Sequence, residues 1–126
     1  MSKREEKRKA YGEGWDTWNA DLLLSSLTDD FVFDDPAMPE PVIKANMAEY
    51  MAGWEDRVKQ LGGTGEIGSR DRVTINKDGA IVSWHWWSFV GTNYEGSAVT
   101  RTTDEGVQYE RITYYPSTPE FTAKGR

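Results

Sequence analysis

His85 is the only histidine of the chain, and it lies in the run SWHWWSF at 83–89. An imidazole is the one side chain whose unperturbed pKa lies near neutrality, so it can take up and release a proton at physiological pH. Its neighbours are aromatic and β-branched types that favour a strand. Side chains alternate along a strand, so His85 shares a face with Ile81, Ser83, Trp87 and Phe89, while Val82, Trp84, Trp86 and Val90 share the other. Both faces are largely apolar, as expected of a strand that lies between two packed layers or between a ligand cavity and a partner chain. The chemistry on offer is proton transfer inside an aromatic wall.

A carboxylate is the natural companion, and Asp34-Asp35-Pro36 supplies two at the exit of a short strand, Phe31-Val32-Phe33. Proline biases Asp35 away from the α region and ends the ladder. Alternation turns Asp34 the other way, toward solvent, which leaves Asp35 as the candidate; the plainer role for it is a turn or capping carboxylate. Glu110 is a further candidate, because Gln108, Glu110, Ile112 and Tyr114 share one face of the last strand, opposite Tyr109 and Arg111. Which of these faces is inward turns on a gap near Gly106. A carboxylate or imidazole in an apolar pocket is pushed toward neutrality, as a general base requires. Such a set suits proton abstraction beside a carbonyl, imine or phenol-stabilised centre, followed by rearrangement or elimination.

The elements that must position these groups can be read from periodicity. Tyr11, Trp15 and Trp18 recur at helical spacing and give a first helix one aromatic face, despite Gly12 and Gly14, which weaken it or admit a close neighbour. Asn19 reads as the N-cap of a short second helix running through Leu27 and closed by Thr28-Asp29-Asp30. After the proline-punctuated loop 36–41, Ile43, Met47, Tyr50, Met51, Trp54, Val58 and Leu61 mark the longest amphipathic helix, stopped by Gly62-Gly63. Strands follow at about 64–76, 80–90, 94–103 and 107–115, joined by turn signals into consecutive antiparallel hairpins. Helices against one face of a curved sheet imply an α+β fold.

Composition narrows the class. A chain of 126 residues with no internal repeat or boundary reads as one domain, with a polar surface tail over 116–126. The absence of cysteine removes disulfides, thiolate metal sites and a thiol nucleophile, and a cytoplasmic location is the expectation. The basic N-terminal run is followed by no apolar stretch that would make a signal peptide or membrane span. With a net charge of −6, nucleic acid and anionic membranes are not expected partners. One histidine and scattered acids make no zinc site, neither a phosphate-cradling glycine loop nor a Gly-x-Ser-x-Gly elbow occurs, and no cofactor is expected.

The order of elements, together with LSSLTDDFVFDDP at 24–36, Glu95-Gly96-Ser97 and ERITYY at 110–115, resembles the SnoaL-like and ketosteroid-isomerase-like proteins, which share the cone fold of nuclear transport factor 2. The resemblance covers about residues 8–115. It implies a curved antiparallel sheet wrapped around three helices to form a cone with an apolar pocket. Asp35 falls where ketosteroid isomerases carry the proton-shuttling carboxylate, and Tyr11 where they carry the oxyanion-stabilising tyrosine. His85 and Trp87 fall on the face that lines the cone. The resemblance also implies a homodimer through the outer sheet face, Val82, Trp84 and Trp86.

One departure matters: the penultimate strand reads Ala98-Val99-Thr100-Arg101, without the neutral aspartic acid that completes the isomerase's oxyanion hole. The expected function is therefore a cofactor-independent lyase or isomerase, elimination favoured, acting on an apolar and aromatic small molecule such as a polyketide, terpenoid or lignin-type aryl compound. His85, Asp35 and Tyr11 are the catalytic candidates, with Asp35 as the partner of His85. Trp15, Phe33, Tyr50, Met51, Trp54, Trp87, Phe89, Glu110 and Tyr114 are the candidate substrate contacts. Two rivals stand beside this reading: a non-catalytic binder of an apolar ligand, and an epoxide hydrolase in which Arg101 or Arg111 faces the pocket alongside Asp35.

Overall fold

Ser2 opens the first helix with a reciprocal cap, its hydroxyl accepting from the Glu5 N–H while the Glu5 carboxylate accepts from the Ser2 N–H. Two end donors are thereby satisfied at once. In the computed structural model, which describes residues 1–115, this helix is α1 (Lys3–Asp16). The tail expected over 116–126 lies outside the described residues. α1 stops before the third aromatic of the expected stripe: Trp18 takes a left-handed φ of 52°, and its indole donates to the Gly65 carbonyl at 2.8 Å. The Asn19 side chain then accepts from the Leu22 N–H and starts α2 (Ala20–Ser25).

The next strand is longer than Phe31-Val32-Phe33. β1 (Leu27–Asp34) takes in Thr28, Asp29 and Asp30, the residues expected to close the second helix. They fall in an irregular stretch between two anchoring pairs with the last strand, Leu27 with Val107 and Val32 with Tyr109, and the two aspartates sit exposed. A two-residue strand, β2 (Val42–Ile43), and a 3-10 turn over Lys44–Asn46 precede α3 (Met47–Gln60), which buries Met47, Met51 and Val58. The remaining strands are β3 (Ile67–Lys77), β4 (Ala80–Phe89), β5 (Glu95–Thr103) and β6 (Gly106–Tyr114). Asp78 and Gly79 both take positive φ, 55° and 79°, as a tight hairpin turn between β3 and β4 demands.

The six strands form one sheet in the order β2-β1-β6-β5-β4-β3, antiparallel throughout except that β1 runs parallel to β6. The sheet curves around the helices, and one apolar cluster including Tyr11, Leu23, Phe31, Met47, Trp87 and Ile112 fills the space between them. This is the expected α+β cone. The outer face of the sheet is open: Trp84 and Trp86 are 41% and 38% exposed, and Val73 and Ile75 of β3 stand beside them. The Arg72 guanidinium lies 4.1 Å from the Trp86 ring centroid. Among the described residues, no helix is long and apolar enough to cross a membrane.

The two glycines of α1 have different reasons. A Cβ on Gly14 would lie 2.8 Å from Leu23 backbone atoms, so this glycine lets α1 and α2 touch; a Cβ on Gly12 would meet nothing within 4 Å. Gly14→Ala is therefore expected to destabilise the protein by about 1–3 kcal/mol through overpacking. Gly12→Ala is expected to stabilise it by about 0.5–1 kcal/mol through helix propensity. Urea unfolding of the two variants checks the opposite signs.

Candidate active site

Alternation along β4 turns Ser83, His85, Trp87 and Phe89 toward the helices, as the sequence implies. Tyr11 and Trp15, one helical turn apart on α1, face them, and β6 brings in Glu110 from the side. Together they line a cavity of about 460 Å³. Its walls are Phe33, Tyr50, Trp54, Trp87, Phe89, Ile67 and Ile112 besides the two α1 aromatics, and its polar interior is His85, Glu110 and Thr100. The exposed rim carries Glu5, Lys9, Glu13 and Asp16, with Arg8 of α1 reaching Asp71 of β3 at 2.5 Å.

Glu110 is 6% exposed and divides its carboxylate between two partners. The Tyr11 hydroxyl donates to Oε1 at 2.5 Å, and His85 Nε2 stands 3.6 Å from Oε2, within ion-pair range. Burial, reinforced by the Glu110 charge, pushes the Tyr11 hydroxyl well above its usual pKa, so it stays protonated and donating. Burial by itself would lower the His85 pKa, but Glu110 outweighs it with help from Asp71 and against Arg8, and the imidazole ends above its ordinary value. The arrangement is a partly buried imidazole, its side chain 14% exposed, whose cationic form has a counter-charge in place. Among the described residues, no group of three or more His, Cys, Asp or Glu side chains could hold a metal ion.

His85 is thus paired with Glu110 and not with Asp35. Asp35 is buried, but it accepts from the Tyr50 hydroxyl at 2.7 Å, from the Tyr114 hydroxyl at 2.9 Å and from the Ala37 N–H at 2.9 Å. It lines a second cavity, of about 710 Å³, between α3 and the loop after β1, and Tyr50 and Trp54 border both cavities. Burial and the Asp35 charge raise the pKa of both tyrosines, so the carboxylate keeps its two donors. The turn role of Asp35 is real, since its side chain caps Ala37 just beyond Pro36.

Seven of the expected contacts, Trp15, Phe33, Tyr50, Trp54, Trp87, Phe89 and Glu110, line the cavity of His85. Tyr114 lines the second cavity instead, and Met51 is packed in the core at 2% exposure. Gln108 leaves the face of Glu110 because a register shift between Arg101 and Thr102 pairs Val107 with Thr102 and Tyr109 with Arg101. Arg101 hydrogen-bonds Gln108, and Arg111 lies over the Tyr109 ring on the outer side, 4.4 Å from its centroid. Neither arginine lines the cavity, which removes the epoxide-hydrolase arrangement. Asp71, Arg8 and Thr100 were not legible as site residues; only strand register and the packing of α1 across the cavity bring them in.

No family model matches the chain, and no curated protein matches it in sequence. Solved structures do match. An NTF2-like protein of unknown function from Cytophaga hutchinsonii aligns with a TM-score of 0.64 at 10% identity, covering 96% of each chain. A protein described as a SnoaL-like polyketide cyclase, from Shewanella putrefaciens, aligns at 0.64 and 13% identity over 98% of this chain and 88% of its own. TerC, co-crystallised with polyporic acid, aligns at 0.66 and 17% identity over 97% of both. These likenesses establish the NTF2-like cone fold that the resemblance implied.

The single histidine makes the His85–Glu110 pair directly measurable. An NMR titration is expected to give an imidazole midpoint above about 6.5, and Glu110→Gln is expected to lower it, because burial then acts with less opposition. The linkage has the corresponding sign. A raised folded-state pKa contributes stability that is full below the unfolded value of about 6.5 and is lost as pH rises through the folded value. The stability gap between wild type and His85→Ala, measured in urea, should accordingly narrow with rising pH.

Proposed function

We propose that this chain is a cofactor-independent lyase or isomerase acting by proton transfer on a planar aromatic, oxygen-bearing small molecule. The observation that carries this reading is the contact of buried Glu110 and Tyr11 with the partly buried His85 inside an aromatic-walled cavity. Imidazole Nε2 faces Glu110, which leaves Nδ1 for the ligand. In its neutral form His85 takes a proton from the carbon next to a carbonyl, and the C–H electron pair moves into the enolate. The imidazolium so formed is balanced by Glu110, which Tyr11 holds in place.

Two outcomes conserve atoms and charge. Returning the proton to another carbon of the enolate completes an isomerisation. Delivering it to a hydroxyl β to the carbonyl releases water as the enolate electrons form the carbon–carbon double bond, which completes an elimination. Elimination stays favoured, since no second buried acid stands at 98–101 to hold the enolate of a steroid-type isomerisation. An aromatic ligand also agrees with TerC, the neighbour crystallised with polyporic acid.

Deuterium exchange at C1 of 2-tetralone in D2O, followed by NMR, tests the proton-transfer step without knowledge of the natural substrate. Wild-type protein is expected to accelerate it, with kcat/KM rising with pH through the His85 midpoint, and His85→Ala is expected to lose about 10²–10⁴-fold. Undiminished exchange by His85→Ala would remove His85 as the base. Tight binding of 2-tetralone with no exchange by the wild type would favour the binder.

We further propose that two copies pack through the outer sheet face, where Trp84, Trp86, Val73 and Ile75 are exposed side by side. Analytical ultracentrifugation is expected to find a dimer, and the double variant Trp84→Glu, Trp86→Glu a folded monomer. A wild-type monomer at all concentrations would reject this interface.

A further inference from the structure

Thr100 carries a hydroxyl that the protein leaves open to the cavity. Alternation along β5 turns Gly96, Ala98, Thr100 and Thr102 inward, and Thr100 lines the cavity of His85. The residue keeps 7% exposure, and its hydroxyl makes no hydrogen bond among the described residues. Two nearby hydroxyls on the same face differ from it: that of Thr102 is sealed in the interior without a partner, and that of Ser83 is shared with Thr74 at 3.3 Å. The Thr100 hydroxyl is neither sealed nor shared. Since β5 lies between β4 and β6 and this side chain points inward, the surface it keeps belongs to the cavity.

Strand register fixes its place relative to the histidine and the acid. Thr100 pairs with Glu110 of β6 and with Ser83 of β4, so it shares their face, and it is the diagonal neighbour of His85, which pairs with Ala98. Diagonal neighbours on one face lie about 7–8 Å apart. That gap admits a carbon giving its proton to the imidazole, with the carbonyl oxygen beside it turned to Thr100. Tyr11 does not serve that oxygen, because its proton is committed to Glu110 at 2.5 Å. A threonine hydroxyl donates one hydrogen bond, and with no acceptor in the protein this one can aim its proton at a ligand. We propose that the Thr100 hydroxyl is the hydrogen-bond donor to the ligand's carbonyl oxygen. It selects for ligands that carry such an oxygen, and it meets the charge that develops there as the enolate forms. This rests on the reading of the cavity as a proton-transfer site for an aromatic, oxygen-bearing ligand.

The test uses 2-tetralone and tetralin, which differ only by the carbonyl oxygen, a group that accepts a hydrogen bond and donates none. Thr100→Val removes the hydroxyl at nearly constant shape, and Thr100→Ser keeps it. Because no protein partner is lost, Thr100→Val is expected to be at least as stable as wild type in urea; marked destabilisation would reveal a partner inside the protein and overturn the proposal. Tryptophan-fluorescence titrations are expected to show wild type and Thr100→Ser preferring 2-tetralone, and Thr100→Val losing about tenfold of that preference, the worth of one such hydrogen bond. In deuterium exchange at C1, Thr100→Val is expected to lose about 10²-fold in kcat, the scale of one oxyanion donor, while Thr100→Ser keeps most of its rate. If Thr100→Val keeps the preference for the ketone, or Thr100→Ser loses it as fully, the donor role falls, and loss of exchange in His85→Ala leaves the proton-transfer reading standing. If wild type binds neither compound, both fall together.

Discussion

A carboxylate placed among aromatic rings must find partners or give up its charge, because an isolated buried ion costs several kcal/mol or more. Glu110 finds them on two different elements, Tyr11 of α1 and His85 of β4, while itself belonging to β6. The first helix is thus tied to the sheet by a charged contact as well as by packing. Removing either partner would leave part of that charge uncompensated, so stability and the state of the imidazole are bound up in one contact. The same three residues that close the deep end of the cavity also set the protonation of its only histidine.

The core holds a second carboxylate on similar terms. Asp35 is gripped by Tyr50 and Tyr114 much as Glu110 is gripped by Tyr11, and the rings of Tyr50 and Trp54 stand between the two cavities. Each acid is served by hydroxyls whose own ionisation is suppressed by burial. Two polar centres can therefore coexist in one apolar interior without exchanging partners. The difference between them is the imidazole, present at one and absent at the other.

Much of the site was legible because it lies on strands whose alternation is unbroken. From Ile81 to Phe89 each side chain falls on the face that simple counting assigns, and the β3–β4 turn is announced by Asp78-Gly79. Legibility failed where a single residue slips. The bulge around Gln108 decides which side chains of early β6 turn inward, and although the sequence points to a gap near Gly106, it does not say which residue slips. The left-handed turn at Trp18 likewise removes from α1 a residue that fits the helical period. The two-residue β2 is too short for any period, and the polar half of β1 falls in a register break between the pairs Leu27–Val107 and Val32–Tyr109, which are set by a strand distant in sequence. Pairing His85 with Asp35 was a choice between acids that only the path of the chain in space could make.

The rim of the cavity is held by different physics from its floor. Arg8 and Asp71 join α1 to the edge strand β3 across the opening, with about a third and a half of their side chains exposed, 33% and 49%. Exposed ion pairs of this kind are worth only about 0.2–1 kcal/mol and are screened by salt over about 8 Å at physiological ionic strength. The entrance is therefore fastened by a contact comparable to thermal energy, while the floor is fastened by one that cannot be broken cheaply. The tie between α1 and β3 thus loosens as salt rises, while the buried contact of Glu110 with Tyr11 is out of the solvent's reach.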